Sequence, residues 1–203
     1  QLTSIVYHNK LGTQLQRVTR VQRIAAWLAT ALQADGALAE RAAMLAKADL
    51  NTNMVGEFPE LQGIMGSYYA RADHEPEEVV QALAEQYKIR LEQPVTAANM
   101  TAAILFMAER AETLIGIWGI GLAPTGERDP FGLRRAALGV LRILMEAPLP
   151  LDLLALINES AASFDPGLLG SELPGPLFDF MLERLRNLLR EAGHAQDVVD
   201  AVL

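Results

Sequence analysis

Cysteine is absent from the 203 residues, which excludes disulfide frameworks, thiolate zinc sites and thiol nucleophiles together, and is what a reducing compartment favours. Histidine is scarce: His8, His74 and His194 stand apart, without the His-x-His or His-Glu-x-x-His spacing that a helical metal site needs. There is no Gly-x-x-x-x-Gly-Lys-Ser/Thr loop for a triphosphate and no Gly-x-Ser-x-Gly nucleophile elbow. The glycines of Gly116-Ile-Trp-Gly119-Ile-Gly121 follow a helical pattern rather than a strand, so they do not read as a dinucleotide loop. Long apolar runs are missing as well. The longest uncharged stretch, Gln93–Ala108, has 16 residues and includes Gln, Thr and Asn, against the ~20 apolar residues that span a bilayer; no membrane partner is expected. The chain starts at Gln1, in mid-pattern and without a basic-then-apolar leader, so it is expected to be a piece of a longer protein.

What is present is core-forming material and unevenly placed charge. Hydrophobic residues make up 51% of the chain, which excludes disorder and suffices for a core in one domain or two small ones. The net charge is −8. Residues 1–34 nevertheless carry Lys10, Arg17, Arg20 and Arg23 with no acid, so that end is +4 and the remainder is −12. An acidic whole argues against indiscriminate attraction to polyanions, while a basic end leaves one face able to accept phosphates.

Helical spacing dominates. In 13–33, Leu15, Val18, Val21, Ala25, Leu28 and Leu32 recur at three- and four-residue steps and mark one buried stripe. At 100° per residue, Arg17, Arg20 and Arg23 fan over about 120° on the other side. Further helices are expected over 37–50, 60–72, 77–90, 96–114, 131–145, 151–164 and 177–192, with a short one at the C-terminus. Asp129-Pro130 caps the helix that starts at Phe131, and Gly193 closes the one that ends at Ala192. Gly63 and Gly66 inside a helical pattern point to a close packing contact. No alternating strand pattern and no internal repeat is found. The expected fold is all-α, with eight or nine helices.

Two constellations carry chemistry. Glu109 and Glu112, three apart on one helix, project about 60° apart; such a pair can hold a divalent cation, act as acid and base, or form a solvated face. Arg135 and Arg142, two turns apart, line up within about 20° and ~10 Å, with Arg134 beside them and Arg128 in the preceding loop. This ridge can bind phosphates or pair internally with Glu146 or Asp152.

Three blocks then point to a family: Tyr7-His-Asn-Lys-Leu-Gly-Thr13, Lys47-Ala-Asp-Leu-Asn-Thr-Asn-Met-Val-Gly-Glu57, and Ile120-Gly-Leu-Ala-Pro-Thr-Gly-Glu-Arg-Asp-Pro-Phe-Gly-Leu-Arg-Arg-Ala-Ala-Leu-Gly139, with Leu61-Gln-Gly-Ile-Met-Gly66 between. In order and spacing they resemble the β subunit of bacterial-type glycine–tRNA ligase, over at least residues 7–190. The resemblance implies the middle of a much longer, cytoplasmic β chain, with a helical fold similar to HD-type metal phosphohydrolase domains. It implies an HD-like core over 1–147 and additional helices over 148–203. It also implies a heterotetramer in which ATP, Mg²⁺ and glycine belong to the separate α subunit while β grips tRNA(Gly).

The chain departs from an active HD hydrolase, which needs a His, an adjacent His-Asp pair and a later Asp. His8 and Asp49 match the first and middle places, but Ala48 stands where the paired His belongs. Ala108-Glu-Arg-Ala-Glu-Thr-Leu114 replaces Ala-Asp-Lys-x-Asp-Thr-Leu. The resemblance therefore implies no catalytic residue, no metal ligand and no cofactor within this piece. The expected tRNA-phosphate contacts are Arg17, Arg20, Arg23, Arg128, Arg134, Arg135 and Arg142. The alternatives are a metal-dependent phosphohydrolase using His8, Asp49 and Glu112, and a purely structural scaffold.

Overall fold

Thr13 fixes where the first helix starts. Its hydroxyl accepts from the Gln16 N–H, and the Gln16 side chain accepts from the Thr13 N–H, a reciprocal cap that satisfies two otherwise orphaned donors. In the computed structural model, which describes residues 2–203, this cap follows a small antiparallel hairpin of β1 (Val6–His8) and β2 (Gly12–Thr13). Everything else regular is helical. The order is α1 (Gln14–Ala31), α2 (Gly36–Leu45), α3 (Asn53–Glu57), α4 (Ile64–Ala72), α5 (Glu77–Glu85), α6 (Met100–Gly119), α7 (Leu133–Glu146), α8 (Leu153–Ala161), α9 (Pro174–Glu191) and α10 (Gln196–Val202). Short 3-10 turns lie at Ala48–Asn51, Pro59–Leu61 and Ala97–Asn99. The chain is all-α, with ten α-helices among the described residues. The helix beyond the expected count is α3, whose five residues are too few to show a periodicity; the Thr52 hydroxyl caps it by accepting from Val55 N–H.

Helix α6 is the axis of the molecule. Fifteen of its 20 residues are buried, and it packs against α1, α2, α5, α7 and α8, as a helix apolar on nearly all sides must. It runs five residues past the expected end at Leu114. Gly116 and Gly119 permit this: a β-carbon on Gly116 would stand 3.1 Å from Leu11 and Phe164, and one on Gly119 2.6 Å from Leu169. The glycine-rich run is helix shaved down for close neighbours. Beyond α7, α8 packs on α6 and α1, α9 on α7 and α8, and α10 on α9. No helix is long and apolar enough to cross a membrane.

Asp49 explains why α2 ends at Leu45 instead of continuing to Leu50. Its carboxylate, 2% exposed, turns across to the start of α4 and accepts from Gly63 N–H (2.7 Å) and Gly66 N–H (3.1 Å). Gly63 adopts φ +77°, and a β-carbon there would lie 2.8 Å from the Leu83 carbonyl oxygen. Only glycine fits. Replacing Gly63 by Ala is expected to cost at least about 1–3 kcal/mol of backbone strain, read as a lowered urea midpoint with an unchanged slope; an unchanged midpoint would contradict the packing.

Candidate functional site

Five ionised side chains meet where α1, the segment after α2, and α6 converge. From α1, Arg17 pairs with Glu109 (Nη2–Oε2 2.8 Å) and Glu112 (Nε–Oε2 3.1 Å), and Arg20 pairs with Glu112 (Nη2–Oε1 2.8 Å). Lys47, only 1% exposed, reaches Glu109 Oε2 at 3.0 Å and donates to Gln86 Oε1 and the Tyr87 hydroxyl, each at 2.9 Å. Arg20 also donates to the Leu11 carbonyl, and Arg17 to the Thr113 hydroxyl. Aromatic faces complete the lining: Tyr7 lies 4.4 Å from Arg17, Phe164 4.6 Å from Arg20 and Tyr87 4.3 Å from Lys47. Three cations face two carboxylates, so the cluster is net positive by one.

Burial sets the electrostatics. It pushes Glu109 upward, but Lys47 and Arg17 outweigh that effect and hold the carboxyl below its ordinary range. At Glu112, fully buried, desolvation prevails over Arg17 and Arg20 and the carboxyl sits above its ordinary range. Desolvation also pushes the Tyr7 phenol up to about 12. Arg17, despite the desolvation that opposes its charge, is held more firmly protonated by Glu109 and Glu112.

This geometry corrects the reading of α1. Arg17 and Arg20 do not face outward: Arg17 is 15% exposed, Arg20 is buried, and both are committed to carboxylates. The expected stripe is buried at Val18, Val21, Ala25 and Leu28, with Leu32 packed against the core, but the inward face is wider than expected and takes in Arg17, Arg20 and Ile24, while Leu15 is exposed. The signal was present, since Arg20, Ile24 and Leu28 are four apart; guanidiniums on that line pointed to acids on the helix opposite. Arg23 is exposed and donates to the Ser163 carbonyl at 3.4 Å.

Helix α7 behaves otherwise. Arg135 is exposed, Arg134 and Arg142 half-buried, and Arg128 exposed in the loop before them. None forms an ion pair among the described residues; Asp152 instead caps α8 through Ala155 N–H. The loop is self-braced. Thr125 and Arg128 exchange backbone hydrogen bonds, Asp129 accepts from Leu133 and Arg134 N–H, and the Arg134 guanidinium donates to the Gly126 carbonyl. Nothing local in the sequence marks Lys47, Gln86, Tyr87 or Arg110, because each gains its role only from contacts between distant segments.

An HD-type metal does not fit this donor set. Glu109 and Glu112 are already neutralised by three cationic side chains, and one oxygen of Asp49 serves the α4 amides. The His8 ring lies edge-on to Phe131, with Nδ1 accepting from Lys10 N–H. Among the described residues no group of three His, Asp or Glu is arranged to hold a metal ion.

Comparison with known proteins agrees with the three sequence blocks. The family model described as the glycyl-tRNA synthetase beta subunit matches residues 1–203. The chain belongs to this family. It is 59% identical over 204 residues to the glycine–tRNA ligase beta subunit of Aromatoleum aromaticum, 51% over 203 residues to that of Ralstonia nicotianae, and 53% over 203 residues to that of Neisseria meningitidis. All of this chain is covered in each case, and it spans 29% of the length of these relatives. In this family member, then, the two α6 acids answer to protein cations.

Glu109→Gln strips Lys47 of its carboxylate and is expected to destabilise the fold by about 3–5 kcal/mol at neutral pH. The pH dependence follows from the sign of the shift. A carboxyl held low stabilises the fold above its ordinary pKa of 4.5 and loses that contribution as pH falls through its lowered value. Urea unfolding from pH 7 to pH 3 should show a shallower acid decline in Glu109→Gln than in the parent; parallel curves would contradict the assignment.

Proposed function

We propose that the chain is a tRNA-holding module of a glycine–tRNA ligase, and that it contacts tRNA(Gly) through Arg128, Arg134, Arg135 and Arg142. Aminoacylation, with ATP and Mg²⁺, is then the work of the α subunit, the expected partner in a cytoplasmic heterotetramer. The reading is supported by family membership and by one physical contrast. Arg17 and Arg20 of α1 turn inward to carboxylates, whereas the α7 arginines carry no counter-ion from the protein. A chain of net charge −8 that leaves a guanidinium ridge unpaired has kept a local site for an anion. Arginine forks match phosphate oxygens, and such contacts position a nucleic acid without reading its sequence. The braced 125–134 loop fixes the Arg128 backbone and holds the Arg134 guanidinium on the Gly126 carbonyl, which lowers the ordering cost of binding.

The arrangement also favours a degenerate HD site. In this reading the Lys47 ammonium and two guanidiniums neutralise the α6 acids as a metal would, and hydrolytic chemistry is given up for rigidity. For Arg17 and Arg20 the buried pairing supports the scaffold role, and they drop out of the proposed tRNA contacts. Arg23, off the ridge, is a peripheral contact at most.

Four productive arginines predict a log–log salt dependence of tRNA affinity with slope between about −2.8 and −3.6. The double change Arg134→Ala with Arg142→Ala should reduce the slope's magnitude by about 1.4–1.8 and weaken cognate and non-cognate tRNA alike. Filter binding across salt reads both quantities. A slope near zero, or one unchanged in the double variant, would reject the interface.

A further inference from the structure

Beside the ion-pair cluster, a cavity of about 280 Å³ opens between α6, the start of α7 and the segment after α5. Arg110 and Arg135 line it from two helices, Lys88 sits at its edge, and Tyr87 and Phe131 stand at its rim. Arg110 is clamped. Its guanidinium lies 3.2 Å from the Phe106 ring centre and donates to the carbonyls of Gln86, Phe106 and Lys88. Gly139 makes the room, since a β-carbon there would stand 2.7 Å from Arg110 Nε. No carboxylate bonds this group. Arg135 opposite is exposed and has neither an ion pair nor a hydrogen bond from its side chain among the described residues. Burial above all, with Arg135 adding to it, pushes Arg110 down to about 10 against the opposing pull of Glu109, which lines the cavity with Arg17 and is itself paired to Arg17 and Lys47. Lys88 differs, being paired with Glu92.

Charge and shape narrow the ligand. Two guanidiniums that no carboxylate bonds directly, beside a Glu109 already paired to Arg17 and Lys47, match a doubly charged group, and a phosphate monoester carries about −1.5 to −2 near neutral pH, where a carboxylate carries only one charge. The rim supplies flat apolar faces, Tyr87 and Phe131 being 45% and 40% exposed, on which a base can stack. The volume approaches the ~300 Å³ lower bound of small-molecule sites, enough for the phosphate and sugar with the base over the rim. We infer that this cavity is a binding site for a nucleotide phosphate monoester, with Arg110 and Arg135 on the phosphate and Phe131 and Tyr87 flanking the base. The inference shares Arg135 with the tRNA reading but does not rest on it: it also requires Arg110 and the rim, which the backbone contacts of tRNA do not use.

The test is calorimetric titration of the full-length chain with AMP, GMP, the matching nucleosides, and a short RNA bearing either a 5′-phosphate or a 5′-hydroxyl. Binding of the free monophosphates at one per chain, at least tenfold tighter than the nucleosides, supports the site and assigns it to free nucleotides. Binding of the 5′-phosphorylated RNA alone, at least tenfold tighter than its 5′-hydroxyl form, supports the site and assigns it to chain ends. In either case Arg135→Ala, an exposed change that leaves the fold intact, should weaken binding at least tenfold, and Phe131→Ala should weaken the nucleotide more than inorganic phosphate. Failure of both phosphate arms, equal affinity with and without the phosphate, or unchanged affinity in Arg135→Ala would overturn the inference. Because the tRNA test rests on Arg134 and Arg142, either result can fail while the other stands.

Discussion

Three cationic side chains and two carboxylates sealed between α1, the segment after α2, and α6 constrain the rest of this structure. Ions of this kind are costly to remove from water, and their mutual attraction offsets the cost only when geometry and further hydrogen bonds are good. Lys47 has three polar partners, Arg20 has a carboxylate and a carbonyl, and Arg17 bridges both acids, while Glu109 Oε1 is left without a hydrogen-bond partner. The consequence is registry. α1 cannot rotate about its axis without stranding two guanidiniums, and α6 cannot slide without stranding two carboxylates. The cavity beside the cluster inherits this rigidity, because Arg17 and Glu109 form part of its wall.

The same residue type thus serves two purposes, separated by burial. On α1 arginine acts inward as a counter-ion; on α7 it faces water or half-faces it with no protein carboxylate in reach. The proposed hold on tRNA and the inferred nucleotide pocket both depend on that difference. Neither needs chemistry at Glu109 or Glu112. An acidic protein that binds a polyanion must concentrate its exposed positive charge, and the Asp129 cap does part of this by anchoring the loop from which Arg128 and Arg134 project.

Much of this architecture was legible in the sequence. The break between the first two helices and the stop at Gly193 are local signals, and local physics decides them; Asp129 does bond the first α7 amides, but α7 starts at Leu133 behind a left-handed Gly132, so Pro130 and Phe131 precede the helix instead of opening it. The close contact expected of the two glycines is the Leu83 carbonyl at Gly63 and the Asp49 carboxylate at Gly66. What failed to show was non-local. Hydrophobicity alone puts Leu15 inside and Arg17 and Arg20 outside, and nothing within α1 states that α6 presents acids. Glycine reads as a breaker at the end of α6, although Leu11, Phe164 and Leu169 require its small profile there. Lys47 lies within a block that carries the family resemblance, yet its burial depends on Gln86, Tyr87 and Glu109, up to 62 positions away.

The central claim is that Lys47 and Glu109 hold each other inside the protein as a coupled pair. A double-mutant cycle of Lys47→Met and Glu109→Gln, followed by urea unfolding at neutral pH, measures that coupling directly. Glu109→Gln leaves the Lys47 ammonium without a carboxylate and Lys47→Met leaves Glu109 with Arg17 alone, so the double variant should be more stable than the sum of the two losses predicts, by about 1–3 kcal/mol. Losses that simply add, within about 0.5 kcal/mol, would show that the two groups do not depend on each other and would contradict the account.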